Sequence, residues 1–319
     1  MNEILERIGE IGIVPVVTMQ RAADAPIMGR ALREGGVPLA EITFRTAAAE
    51  DSIAALAREP GDLLVGAGTV LTTDQVERAV GAGAKFIVTP GFNPRVVDFC
   101  VQKGIPITPG ISSPSEIEMA IERGLEVVKV FPAGACGGVD FLKSVAGPFP
   151  NMRFIPTGGV DAGNLRDYLS LACVHAVGGT WITKGAAATD AGCAEISRLA
   201  REAVTISLGF ELAHIGINEP GPERAAEDAR AMCERFTWPI KDGASSVFAG
   251  AGIECMKSQY LGTHGHIAIS TLSMKRALRS LEGRGFSVLR ETAKEKDGRL
   301  IAVYLAGEIG GFAVHLLQK

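Results

Sequence analysis

The segment VVKVFPA, residues 127–133, sets one lysine inside an apolar run with the length and β-branched content of a buried strand. Seven comparable segments flank it: IVPVVTM from Ile13, LAEITFR from Leu39, LLVGAGT from Leu63, FIVTP from Phe86, PITPG from Pro106, RFIPTGG from Arg153 and AVGGTWI from Ala176. Successive starts lie 20 to 26 residues apart. Between them run stretches such as AADAPIMGRALREGG, TTDQVERAVGAGA and SPSEIEMAIERG, with apolar residues at helical spacing, often Thr or Ser ahead and Gly behind. Eight strand-helix units in about 195 residues predict an α/β fold, a (β/α)8 TIM barrel, with its chemistry at the carboxyl ends of the strands.

Beyond residue 206 the order changes. FELAHIGIN reads as a strand, PERAAEDARAMCERF as a helix, and SSVFAG and AGIECMKS as strands; then GHIAIST is a strand, LSMKRALRSLEGRG a helix, and FSVLRE, RLIAVYLA and GGFAVHLLQK are strands. The two copies start at His214 and His266, 52 residues apart. The expected division is a barrel over residues 1–205 and a smaller α+β domain of two βαβββ-like modules over 206–319, as a chain of 319 residues allows.

Charge narrows the function. Thirty-two basic and 36 acidic residues are interspersed and sum to −4, so no field draws nucleic acid or acidic lipid. No apolar run approaches the ~18 residues of a membrane span, and the start MNEILERIGE lacks the apolar core of a secretion signal. A cytoplasmic protein with neither membrane nor nucleic-acid partner is expected. Cysteines 100, 136, 173, 193, 233 and 255 lack paired or finger spacing and read as reduced small hydrophobes. Only His175 precedes residue 206, whereas His214, His264, His266 and His315 follow it.

Of the five lysines in the expected barrel (Lys85, Lys103, Lys129, Lys143 and Lys184), only Lys129 interrupts an apolar strand. Desolvation favours a neutral amine, which attacks carbonyls to form a Schiff base. The plainer alternative is a strand lysine that snorkels to a rim or pairs with a carboxylate. In LAEITFR, Glu41, Thr43 and Arg45 alternate on one face. Glu41 suits a proton shuttle and Arg45 a carboxylate clamp, the alternative being an internal ion pair. Glycine pairs follow the last two strands, in Pro156-Thr157-Gly158-Gly159 and Gly178-Gly179-Thr180. Backbone amides there favour an anionic, phosphorylated ligand.

Residues from about 10 to 204 resemble the 2-keto-3-deoxy-6-phosphogluconate (KDPG) aldolase family, also described as 4-hydroxy-2-oxoglutarate (KHG) aldolase. The resemblance rests on GIVPVV from Gly12, EITFRT from Glu41, VGAGTVL from Val65, VTPGF from Val88, PGISSPSE from Pro109, VKVFPA from Val128, AGPFP from Ala146, PTGGV from Pro156 and GGTWI from Gly178. It implies a class I, metal-free aldolase that cleaves KDPG to pyruvate and glyceraldehyde 3-phosphate, and 4-hydroxy-2-oxoglutarate to pyruvate and glyoxylate. Lys129 would form the Schiff base and Glu41 would act as acid/base. Arg45 and Thr69 would hold the pyruvyl carboxylate, Pro90 and Phe131 would wall the pocket, and Gly158, Gly159 and Thr180 would hold phosphate, beside Thr157 and Gly179 of the same two loops. A homotrimer is the implied assembly. Val130, Gly134 and Thr180 depart from residues common in relatives, which leaves the distal end of the substrate open.

The segment from about 207 to 319 is similar to the glyoxalase/dioxygenase (vicinal oxygen chelate) superfamily. That similarity implies inward ligands His214, Glu254, His266 and His315, a set suited to a divalent metal such as zinc, nickel, iron or manganese. His315 stands where the superfamily usually shows Glu. Two rival functions follow. One is a metal-dependent lyase, isomerase or dioxygenase working at the histidines; the other is a sugar-acid-phosphate binding protein without turnover.

Overall fold

The computed structural model describes residues 1–184 and 189–319. The chain forms two compact units, Met1–Ser207 and Leu208–Lys319. The helix Asp190–Leu208 ends where the second unit begins.

The first unit contains nine strand segments: β1 (Ile13–Val17), β2 (Leu39–Thr43), β3 (Leu64–Gly68), β4 (Ile87–Val88), β5 (Ile107–Thr108), β6 (Gly110–Ile111), β7 (Val127–Val130), β8 (Arg153–Pro156) and β9 (Val177–Gly179). Pairing is parallel in the orders β5-β4-β3-β2-β1-β9 and β6-β7-β8. Single parallel bridges, Phe154 to Val174 and Thr157 to Gly178, link the β8 segment toward β9. The result is a curled parallel sheet.

One expected strand, PITPG, is divided in two. Pro109 lies between β5 and β6 and has no N–H to offer a neighbour, while its carbonyl still accepts from the Lys129 amide at 2.9 Å. The other strands fall inside the expected segments, ending earlier where the chain turns into loops.

Every residue of β1, β2 and β3 is buried, as expected of a parallel sheet covered on both faces. Helices supply the cover and start where capping chemistry predicts. Asn2, Thr72 and Asn93 accept the amides of Ile4, Gln75 and Arg95, and Pro94 and Pro114 occupy first turns. The helix Ala49–Arg58 buries Ile53 and Leu56, each contributing roughly 1.5–3 kcal/mol of apolar transfer. Parallel strands bring their carboxyl ends to one edge of the sheet.

The second unit contains β10 (Glu211–Asn218), β11 (Ile240–Asp242), β12 (Ser246–Ala249), β13 (Ile253–Met256), β14 (Gly265–Thr271), β15 (Val288–Lys296), β16 (Arg299–Ile309) and β17 (Phe312–Gln318). They form one sheet in the order β11-β12-β13-β10-β14-β17-β16-β15. The helices Pro222–Phe236 and Met274–Gly283 follow β10 and β14, so each half runs strand, helix, three strands. Short β11 escapes the sequence reading because all three of its residues are exposed and no apolar alternation marks it. Among the described residues no helix is long and apolar enough to cross a membrane.

Candidate functional sites

Lys129 sits in β7, bracketed in register by Gly110 of β6 and Ile155 of β8. Glu41 sits in β2, next to Val16 of β1 and Gly66 of β3. Curling of the sheet brings these side chains, 88 positions apart in sequence, together: Lys129 Nζ donates to Glu41 Oε1 at 3.4 Å. Both are enclosed, with 7% and 3% of their side chains exposed. Dry surroundings strengthen the attraction, and removing one partner of such a pair leaves the other without compensation. The centroid of the Phe131 ring lies 5.3 Å from the lysine nitrogen.

Arg45 and Thr69 follow β2 and β3. Arg45 Nε donates to Thr69 Oγ1 at 3.1 Å, and the arginine is exposed. Thr69 takes a left-handed backbone, φ 54°, a conformation a threonine rarely adopts without surrounding restraint. Pro90 is half-buried, and its carbonyl presses on Gly110, where a Cβ would come within 2.3 Å.

The two glycine loops meet. Thr157 bridges to Gly178, and a Cβ at Gly178 would stand 2.3 Å from Thr157 Oγ1. Gly158 and Gly159 have φ values of 90° and 81°. The Gly158 carbonyl accepts from the Gly134 amide at 2.9 Å, and the Gly159 carbonyl accepts from Asn164 Nδ2 at 2.8 Å. A Cβ at Gly179 would collide with the Trp181 ring, while Thr180 is exposed.

In the second unit, four neighbouring strands place the expected ligands on one face. Gly216 of β10 lies opposite both His266 of β14 and Glu254 of β13, and His214 stands two positions before it. Ala268, two positions after His266, lies opposite His315 of β17. Side-chain alternation then aims all four the same way. Glu254 Oε2 lies 3.1 Å from His214 Nε2 and from His266 Nε2, which are 3.2 Å apart. Ligand atoms of the three histidines fall within 4.8 Å of one another.

The electrostatics of this cluster are lopsided. Burial opposes charge on Glu254, but hydrogen bonds from His214, His266 and Ser246 outweigh it and hold the carboxyl well below the usual range. Burial, together with the neighbouring His266 and His214, pushes His315 down to about 4. Among the described residues, neither ring nitrogen of His315, nor Nδ1 of His266, meets a partner with hydrogen-bond geometry. Buried polar atoms are rarely left this way. The fourth histidine of this unit, His264, packs beside Phe312 with ring centroids 5.8 Å apart, and does not belong to the cluster.

Three contributors escape the sequence reading. Ser246 donates to Glu254 Oε1 at 2.6 Å, eight positions along a hairpin. Tyr304 faces His315 in register and stacks on it, centroids 4.8 Å apart. Gly68 leaves room for Glu41, whose carboxylate a Cβ at that position would overlap. Only the glycine had a signal, an interior strand position without turn chemistry around it.

Set beside known proteins, the first unit falls in a class before it falls in a family: its family model and the curated relatives it is similar to are aldolases. The family described as KDPG and KHG aldolase matches residues 4–199, and the chain belongs to that family. It is 43% identical over 206 residues to the 2-dehydro-3-deoxy-phosphogluconate aldolase of Treponema pallidum, covering 65% of this chain and 98% of that protein. It is 42% identical over 192 residues to the KHG/KDPG aldolase of Escherichia coli, covering 60% of this chain and 90% of that one. Among solved structures it is similar to the KDPG aldolase of Legionella pneumophila with pyruvate captured as a covalent carbinolamine. That match has a TM-score of 0.60 and 34% identity, over 62% of this chain and 97% of the other.

Proposed function

We infer that this chain is a carbon–carbon lyase, a Schiff-base aldolase acting on KDPG and on 4-hydroxy-2-oxoglutarate. The single observation that carries the mechanism is the enclosed pair Lys129 and Glu41, 3.4 Å apart within the curled sheet. The curled parallel sheet is read as a (β/α)8 barrel in which the bridges at Val174 and Gly178 close the circle.

Lys129 Nζ, as the free amine, attacks C2 of the keto acid; Glu41 moves protons as the carbinolamine loses water, leaving an iminium. Its positive nitrogen accepts the electron pair of the C3–C4 bond while Glu41 takes the proton of the C4 hydroxyl. An aldehyde departs: glyceraldehyde 3-phosphate from KDPG, glyoxylate from 4-hydroxy-2-oxoglutarate. Protonation of the enamine and hydrolysis then release pyruvate and restore the amine.

Arg45 and Thr69 are assigned to the substrate carboxylate, Pro90 and Phe131 to the pocket wall. Thr157, Gly158, Gly159, Gly179 and Thr180 are assigned to the phosphate. The positive φ of Gly158 and Gly159 supports a loop whose amides can turn toward an anion. A homotrimer in the cytoplasm completes the reading. Release of pyruvate from KDPG and from 4-hydroxy-2-oxoglutarate, followed separately, tests it. Turnover of both is expected; binding without cleavage would favour a sugar-acid-phosphate receptor instead.

A second reading concerns the carboxyl-terminal unit, which we assign to a glyoxalase-like fold. His214, Glu254, His266 and His315 would hold a divalent cation, since donors about 2.1 Å from one ion stand roughly 3–3.4 Å apart. His315 supports this most directly, for among the described residues its buried ring nitrogens meet no partner by hydrogen-bond geometry. Such an ion would supply Lewis-acid chemistry. Metal analysis of the purified chain tests the assignment: about one equivalent is expected in the wild type and little after His266→Ala with His315→Ala.

A further inference from the structure

Gly68 ends β3 with ordinary strand dihedrals, so its backbone does not ask for glycine. A glycine inside a strand is also a weak choice, about 0.5–1 kcal/mol less stable than alanine. Its surroundings supply the reason. A Cβ at residue 68 would stand 2.1 Å from Oε1, 2.6 Å from Cγ and 2.7 Å from Cδ of Glu41, and these are its three nearest neighbours. Gly68 shares a strand face with Gly66, the register partner of Glu41, so the carboxylate leans one diagonal step along the sheet into space left by a missing side chain.

Neither strand can easily withdraw. The Gly68 carbonyl accepts from the Phe44 amide at 2.7 Å. Thr43, opposite Gly68, hydrogen-bonds Thr18 Oγ1 at 2.9 Å and the Val17 carbonyl at 3.1 Å. An added methyl would therefore move the carboxylate, the only yielding part of the contact.

We propose that Gly68 is a positioning residue for the aldolase reaction, holding the Glu41 carboxylate within reach of Lys129 Nζ by leaving it room. This rests on the roles assigned above to Lys129 and Glu41. Gly68→Ala in the full chain is expected to lower kcat by about 10- to 1000-fold and to change KM for the keto acid by less than about threefold, because the carboxylate that moves transfers protons rather than binding substrate. In a Glu41→Ala background the same substitution is expected to change the residual kcat by less than about twofold, the space being vacant.

Full kcat in Gly68→Ala, or equal losses in both backgrounds, would overturn the proposal. If Gly68→Ala does not fold, Gly68→Ala with Glu41→Asp retracts the carboxylate by one methylene. That variant is expected to match Glu41→Asp alone within about twofold in kcat, and a further loss beyond tenfold would overturn the proposal. Borohydride trapping of pyruvate on the wild type separates the two levels. No trapping removes the mechanism and this proposal with it; trapping, beside an unaffected Gly68→Ala enzyme, removes only the proposal.

Discussion

The amino-terminal pair and the carboxyl-terminal cluster are built by one device and end in opposite states. In each, strand pairing and side-chain alternation bring distant polar groups to one place, through the curl of a parallel sheet in the first and through parallel and antiparallel neighbours in the second. Lys129 and Glu41 satisfy each other, amine to carboxylate, within the protein. The cluster does not close: Glu254 is oversupplied with donors while, among the described residues, the ring nitrogens of His315 meet no hydrogen-bond partner. A site complete in itself suits chemistry done by side chains, whereas a site with spare buried lone pairs suits an ion.

Variants sharpen that contrast, the largest effect first. Lys129→Ala should abolish cleavage of both substrates in a pyruvate-release assay, since no other group takes up covalent attachment. Glu41→Gln, close in shape but unable to carry protons as a carboxylate does, should lower kcat by ~10²- to 10⁴-fold and leave the equilibrium binding of pyruvate near wild type. Arg45→Ala should raise KM for keto acids by about 10- to 100-fold, the loss of a charge-assisted hydrogen bond worth about 1.5–3 kcal/mol, with kcat affected less. Thr180→Val should be smaller still and selective, raising KM for KDPG by several-fold while sparing 4-hydroxy-2-oxoglutarate.

Chelation cuts across the two sites. Exhaustive treatment with a chelator should leave aldolase kcat unchanged within about twofold while lowering the melting temperature of the carboxyl-terminal unit, followed by calorimetry. Loss of aldolase activity on chelation, regained with added metal, would break the separation between an amine site and an ion site.

The parallel unit was largely legible because it is buried on both faces. Continuous apolar strands such as IVPVV, and helix starts marked by Asn93-Pro94 and Ser113-Pro114, can be read directly from the chain. Lys129 stood out for the same reason, as the lysine where an apolar run should continue. What escaped has separate causes: Pro109 offers no N–H where the expected strand divides, β11 has no apolar pattern to read, and the Ser246 contact depends on a hairpin register. The meeting of Glu41 with Lys129 lies between these extremes: its residue types were visible, its distance was not.

Reduction with borohydride in the presence of pyruvate, followed by mass mapping of peptides, tests the central claim most directly. The account predicts a single stoichiometric adduct on the peptide containing Lys129, absent without pyruvate. An adduct on Lys85, Lys103, Lys143 or Lys184, or no adduct at all from an enzyme that still releases pyruvate, would contradict it.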